Sequence, residues 1–249
     1  FDDLVIGAPG ETLNGQQAAG WVVAIPGSAS GPEAAAAFGL SQFELPGEPE
    51  TTDGFGLALA AGDWNGDGFD ELAVGAPGED LGAGALHVLF GGASGLTPSG
   101  SAVLDDFLLG GFTEPGDRFG AAVAFGNLNG DSFAELLVGV PSEDLPVLGG
   151  GTLAEAGQIV IAYGHAGVPA IGLVQHLRED NLQGASEAND FFGATLAAGD
   201  FDGDAFDELV IGHPGENAVS GAFTVVGGSG DGVDISRRRR FASAFDGVP

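Results

Sequence analysis

The chain has 249 residues, 44% of them hydrophobic, which is enough to bury one sizeable core. Thirty-six acidic residues face six basic ones, and the formal charge of -30 repels nucleic acid and anionic membrane while favouring cations as partners. Cysteine is absent, which excludes disulfides, zinc-thiolate sites and a cysteine nucleophile, and no apolar run approaches the roughly 20 residues that a membrane helix needs.

The chain opens at Phe1 without a charged-then-apolar leader. With no Met anywhere, Phe1 is not a translation start, and the chain is expected to be processed or part of something longer. The first apolar run, Leu4-Val5-Ile6, ends in Gly7-Ala8-Pro9 and is followed after a glycine by a second, Trp21 to Ile25. Both are too short for helices and are bounded by turn residues, so they predict strands. An outer strand is expected around Phe43. Phe55-Gly56 then opens a further apolar stretch, Leu57 to Ala61.

From there the pattern repeats. Leu72-Ala73-Val74 runs into Gly75-Ala76-Pro77, Leu136-Leu137-Val138 into Gly139-Val140-Pro141, and Leu209-Val210-Ile211 into Gly212-His213-Pro214, in steps of 68, 64 and 73 residues. Second strands are predicted at Ala85 to Phe90, Gln158 to Tyr163 and Ala222 to Val226, and outer strands around Phe107 and Leu177. Phe119-Gly120 and Phe192-Gly193 match Phe55-Gly56, and the interval from Gly27, Gly91 and Gly164 to the next Phe-Gly is 28 residues each time.

Four strands per unit at this period predict an all-β fold, a β-propeller of four-stranded antiparallel blades in one domain covering residues 1-249. The approximate blades are 1-54, 55-118, 119-191 and 192-249, making either a closed four-bladed ring or part of a larger propeller. The first blade lacks its innermost strand. Either Phe241 to Phe245 closes the ring beside Leu4 to Ile6, or further sequence or a neighbouring molecule supplies that strand.

Between each Phe-Gly strand and the next Gly-x-Pro strand lies a carboxylate loop. In Asp63-Trp64-Asn65-Gly66-Asp67-Gly68-Phe69-Asp70-Glu71, oxygen-bearing side chains stand at positions 1, 3, 5 and 9. With a backbone carbonyl from position 7, they would suit a hard cation that takes 6 to 8 oxygens, Ca²⁺ before Mg²⁺. An EF-hand needs an acid at position 12, where this loop has Val74. Asp, Asn and Gly also form turns without metal. Ligand-spaced recurrence before the same strand favours metal.

The nine-residue loop framed by Phe-Gly and Gly-Ala-Pro resembles the FG-GAP repeats of integrin α-subunit propellers, typically seven-bladed, and of their bacterial relatives. The resemblance implies structural Ca²⁺ in these loops on one face of the propeller. Carried over by position, the first site comprises Asp63, Asn65, Asp67, the Phe69 carbonyl and Glu71, with Glu71 in place of the usual Asp. The second comprises Asp200, Asp202, Asp204, Phe206 and Glu208, with Ala205 replacing the turn glycine. The third comprises Asn127, Asn129, Asp131, Phe133 and Glu135, with fewer charges and Ser132 at the turn. Of a first-blade loop only Asp2 and Asp3 remain.

Phe55, Phe119 and Phe192 read as core between blades, and His87, His165, His176 and His213 as structural or exposed. No G-x-S-x-G, H-E-x-x-H, P-loop or G-x-G-x-x-G before a helix occurs, and no N-glycosylation sequon. Arg237 to Arg240 has three readings: a processing site, an anion patch, or a solvated edge that discourages strand pairing. Docked on a neighbour's carboxylates, it would favour self-association. The leading functional expectation is an extracellular or cell-surface recognition and adhesion module, not itself an enzyme, that binds protein or glycan through its loops. The alternatives are a self-assembling structural subunit and a non-catalytic domain of a secreted carbohydrate- or lipid-active enzyme.

Overall fold

A computed structural model describes residues 1-147, 149-169, 172-182, 184-216 and 220-242. Fifteen strands form four antiparallel sheets in which neighbours in sequence are neighbours in space. The first sheet holds β1 (Leu4–Ala8), β2 (Trp21–Ile25) and β3 (Phe38–Leu40). The second holds β4 (Leu59–Gly62), β5 (Glu71–Ala76), β6 (Ala85–Phe90) and β7 (Thr97–Leu104). The third holds β8 (Ala122–Gly126), β9 (Glu135–Val140), β10 (Gln158–Ala162) and β11 (Val174–Leu177). The fourth holds β12 (Thr195–Gly199), β13 (Glu208–His213), β14 (Ala222–Ser229) and β15 (Gly232–Ala242).

The innermost strands β4, β8 and β12 lie side by side, so successive sheets face one another. Each seam between them is one apolar core. Val22, Leu40, Leu72, Val74 and Leu89 fill the first; Leu86, Val88, Leu136, Val138 and Val160 the second; Leu137, Ile159, Ile161, Leu209 and Ile211 the third. Phe55, Phe119 and Phe192 are fully buried, one in each seam. Every residue of β5 and β9 is buried, because these strands are covered on both faces, which is why they read as continuous apolar runs without alternation.

In β1, by contrast, Leu4 and Ile6 are 45% and 48% exposed. No strand pairing among the described residues joins the first sheet to the fourth. Of the two alternatives for the first blade, closure by Phe241 to Phe245 is not seen among the described residues. Phe241 pairs with Phe223 and Ala242 with Ala222 at the outer edge of the fourth sheet, while Phe245 lies outside the described residues. The outer strands also begin earlier than expected in the first two sheets. Phe43 and Phe107 follow β3 and β7 in turns and are 49% and 70% exposed.

The Gly-x-Pro glycine packs on the next sheet. A Cβ on Gly7, Gly75 or Gly139 would stand 2.1 Å from the carbonyl oxygen of Gly56, Gly120 or Gly193, respectively. In the same places the Gly56, Gly120 and Gly193 amides donate to the carbonyls of Gly75, Gly139 and Gly212 within their own sheets. The two anchors are thus one contact, in which backbone meets backbone between sheets.

Candidate metal loops and a second carboxylate cluster

The three loops connect β4 to β5, β8 to β9 and β12 to β13, all at the same end of their sheets. Each is wound around its first residue. Asp63 Oδ1 accepts from Gly66 N (2.7 Å) and Asp67 N (3.1 Å), and its Oδ2 from Gly68 N (2.9 Å). Asp200 repeats this with Gly203 N (2.7 Å), Asp204 N (3.2 Å) and Ala205 N (3.1 Å). Asn127 Oδ1 accepts from Gly130 N at 2.7 Å, but its amide Nδ2 is spent on the Asp131 carbonyl at 2.7 Å. Position 5 caps position 7 in every loop: Asp67, Asp131 and Asp204 accept from the amides of Phe69, Phe133 and Phe206.

Position 9 closes the ring from beneath. Glu71 Oε2 accepts from Trp64 N (2.9 Å) and Asn65 N (3.2 Å), and its Oε1 accepts from Asn65 Nδ2 (3.1 Å). Glu135 and Glu208 receive Leu128 N (2.7 Å) and Phe201 N (2.8 Å) on one oxygen, and the other oxygen, Oε1, is buried with no hydrogen-bond partner. Burial pushes the Glu71 and Glu135 carboxyls up to about 7. A cation beside such a carboxyl favours its ionised form. The donor sets fit a hard cation: all oxygen, with a buried carboxylate oxygen left over in two loops. Asp200, Asp202 and Glu208 each bring an oxygen within 4.8 Å of the other two.

Turn chemistry differs among the loops. Gly66, Gly130 and Gly203 all have positive φ, at 72°, 73° and 83°. Position 6 is also left-handed at Gly68 (89°) and at Ala205 (72°), where a Cβ is strained; Ser132 is not among the positive-φ residues. The position-7 side chains tie the loops together. The Phe133 and Phe206 rings lie 2.5 and 2.6 Å from where a Cβ on Gly66 or Gly130 of the preceding loop would stand.

At the opposite end of the sheets, roughly 17 Å along each middle strand, the structure gathers a second polar cluster that the loop motif does not announce. It draws Gln42, Asp106 or Glu179 from beyond an outer strand, Asp53, Asp117 or Asp190 from just before Phe-Gly, and Glu79, Glu143 or Glu216 from just after Gly-x-Pro. Eight of these nine are buried, and Glu79 is half-buried. Gln42 Nε2 donates to Glu79, and Asp53, Asp117 and Asp190 accept the amides of Glu50, Glu114 and Glu187. Burial raises Glu79 to about 7 and Glu143 and Glu179 to about 8, with Asp53, Asp106 and Glu216, respectively, as the next cause. The signal is present in the sequence: these residues stand 13 and 2 positions before Phe-Gly and 2 after each proline.

Basic residues enter both ends of the last sheet. His213, fully buried, has Nδ1 3.3 Å from Glu216 and 3.7 Å from Glu179, and Nε2 3.2 Å from Thr224 Oγ1. Arg240 also contacts Glu179 (3.2 Å) and Glu216. His87 is buried without a ring hydrogen-bond partner, edge-on to Phe55 at 5.2 Å, and burial lowers it to about 4.

Repeated antiparallel sheets packed face to face with adjacent inner strands, each opening on a carboxylate loop, define a β-propeller. The chain carries FG-GAP repeats: the model of that repeat family matches residues 55–89, 119–161 and 192–232. It is 32% identical over 168 residues to phosphatidylinositol-glycan-specific phospholipase D of Mus musculus, an alignment covering 64% of this chain and 18% of that one. It is 33% identical over 126 residues to integrin alpha-4 of Xenopus laevis, with 50% of this chain and 11% of that one aligned. With integrin alpha-7 of Homo sapiens it shares 31% over 188 residues, 70% of this chain and 13% of that one. The chain thus spans less than a fifth of these relatives.

Proposed function

We propose that this chain is a calcium-stabilised recognition propeller, one domain across residues 1-249, that binds protein or glycan outside the cell or at its surface. The observation that carries the calcium reading is the buried Oε1 of Glu135, which has no hydrogen-bond partner, and that of Glu208, which meets only Arg237 at 3.9 Å, at the floor of loops whose other donors are also oxygens. A carboxylate oxygen removed from water without a partner costs stability unless a cation or proton meets it. Asp63, Asn65, Asp67 and Glu71 hold one ion with the Phe69 carbonyl. Asp200, Asp202, Asp204 and Glu208, with the Phe206 carbonyl, form a second position, and Asn127, Asn129, Asp131 and Glu135, with the Phe133 carbonyl, form a weaker third.

The ions hold the loop end rigid, and binding falls to the exposed loops. Calcium-dependent melting tests the first half, and a protein pull-down and glycan array, each run with calcium and with chelator, test the second. An unchanged melting curve in chelator removes the calcium reading, and no ligand in either format removes recognition. The likeness to a phospholipase D favours a second reading, a non-catalytic propeller domain within a lipid- or carbohydrate-active enzyme. Assay of the full-length protein on lipid and polysaccharide substrates separates the two.

A further inference from the structure

We propose that Arg237 is a tethered cation that closes the Asp200 carboxylate loop, so that this loop takes a divalent ion only when the guanidinium leaves. The inference rests on the calcium reading above and assigns a competitor to one of its sites. Among the described residues, two groups of acidic and histidine side chains converge closely enough to hold a single ion: Asp200 with Asp202 and Glu208, and Glu179 with His213 and Glu216. Both are met by an arginine from the same strand, β15.

The Arg237 contacts are those of a ligand in its site. Nη2 lies 2.6 Å from Asp202 Oδ2 and 3.9 Å from Glu208 Oε1, and Nη1 lies 2.7 Å from Asp204 Oδ2. Positions 3, 5 and 9 of the loop, three of its four side-chain donors, thus face one guanidinium. Nη1 also donates to the Gly228 carbonyl at 3.0 Å, which fixes the plane of the group. The strand is shaped for this reach. Pairing between β14 and β15 shifts register after Val226, and the Arg237 side chain crosses Gly227, where a Cβ would stand 2.8 Å from Arg237 Cβ and 3.1 Å from its Nε. A side chain at 227 would displace the arginine from its path.

Charge explains why this loop, and not the Asp63 loop, receives an arginine. This loop carries four carboxylates, three of which converge, against three carboxylates and an amide in the Asp63 loop, in a chain with no Lys and only six Arg. A guanidinium stays charged throughout the accessible pH range and forks across two carboxylates at once, so it neutralises part of this charge without any ion from solution. Being tethered, it competes at high effective concentration. Arg237 is 37% exposed, so water and salt screen the contact and the competition is finite. Calcium can displace it.

Calorimetric calcium titration of metal-stripped wild type, Arg237→Ala, Asp63→Ala and the double variant tests the proposal, together with melting temperatures in chelator. Arg237→Ala is expected to tighten one calcium site by about tenfold or more. The tightened site survives in the double variant, because it belongs to the Asp200 loop. In chelator Arg237→Ala melts below wild type, and calcium restores it. A titration of Arg237→Ala matching wild type in number and affinity of sites overturns the proposal. If neither wild type nor variant binds calcium, the calcium reading falls by itself, and the chelator comparison decides Arg237: a lower melting temperature upholds the tethered cation, and an equal one overturns it.

Discussion

Gly75 lies against the carbonyl oxygen of Gly120, so close that a Cβ on Gly75 would stand 2.1 Å from it. The neighbour is backbone in the next sheet and cannot swing aside. Gly75→Ala therefore forces two sheets apart and is expected to cost at least about 2 kcal/mol. Gly92 has open space around its Cβ position and a φ outside the left-handed region, so Gly92→Ala should stay within about 0.5 kcal/mol of wild type. Denaturant midpoints of the two variants check the contrast.

Asp63 organises its loop through three accepted amide bonds and is the first donor of the first candidate site. Asp63→Ala should bind about one calcium ion fewer and show a smaller rise in melting temperature on adding calcium. An ion that binds only the folded state at 100 times its dissociation constant adds about 2.7 kcal/mol, and one site's share of that gain is lost. Equal calcium-induced shifts in variant and wild type would contradict the assignment.

The seam carboxyls set a pH dependence of their own. Burial, then neighbouring Asp53, Asp106 and Glu216, holds Glu79 at about 7 and Glu143 and Glu179 at about 8, against 4.5 in the unfolded chain. Arg178 near Glu143 and Arg240 on Glu179 offset this only in part. The folded state keeps protons that the unfolded state releases, so their contribution is full below about 4.5 and is lost as pH rises to about 8. In calcium-free buffer the melting temperature should fall from pH 5 to pH 8, as followed by circular dichroism. A flat or rising profile would show that these carboxyls are ionised in the fold.

Ala205 occupies a left-handed position, φ 72°, that Gly68 fills in the Asp63 loop. Ala205→Gly removes strain of roughly 1 kcal/mol and gives some of it back as unfolded-state entropy. The net is a gain of about 0.5 kcal/mol, measurable as a small rise in denaturant midpoint. A loss of stability would show that the loop tolerates the Cβ without strain.

The middle strands, the Phe-Gly and Gly-x-Pro anchors and the three loops were legible in the amino-acid sequence because each is a local pattern. Strands buried on both faces read as unbroken apolar runs, and a nine-residue loop carries its donors at fixed offsets. Outer strands were placed less well. β7 and β15 each bury only one residue, so little apolar pattern marks where they lie, and pairing with the neighbouring strand sets their limits. That is why Phe107 falls in the turn beyond β7. Tertiary structure alone decided two further features. The seam cluster joins side chains from two sheets, 37 residues apart in the case of Gln42 and Glu79, and Arg237 reaches Asp202 across 35 residues of chain. The repeat spacing marks the cluster residues, but which partners meet is set by strand pairing and sheet packing. The sequence by itself determined how many carboxylates each loop has. The fold decided that one of those loops brings its own cation.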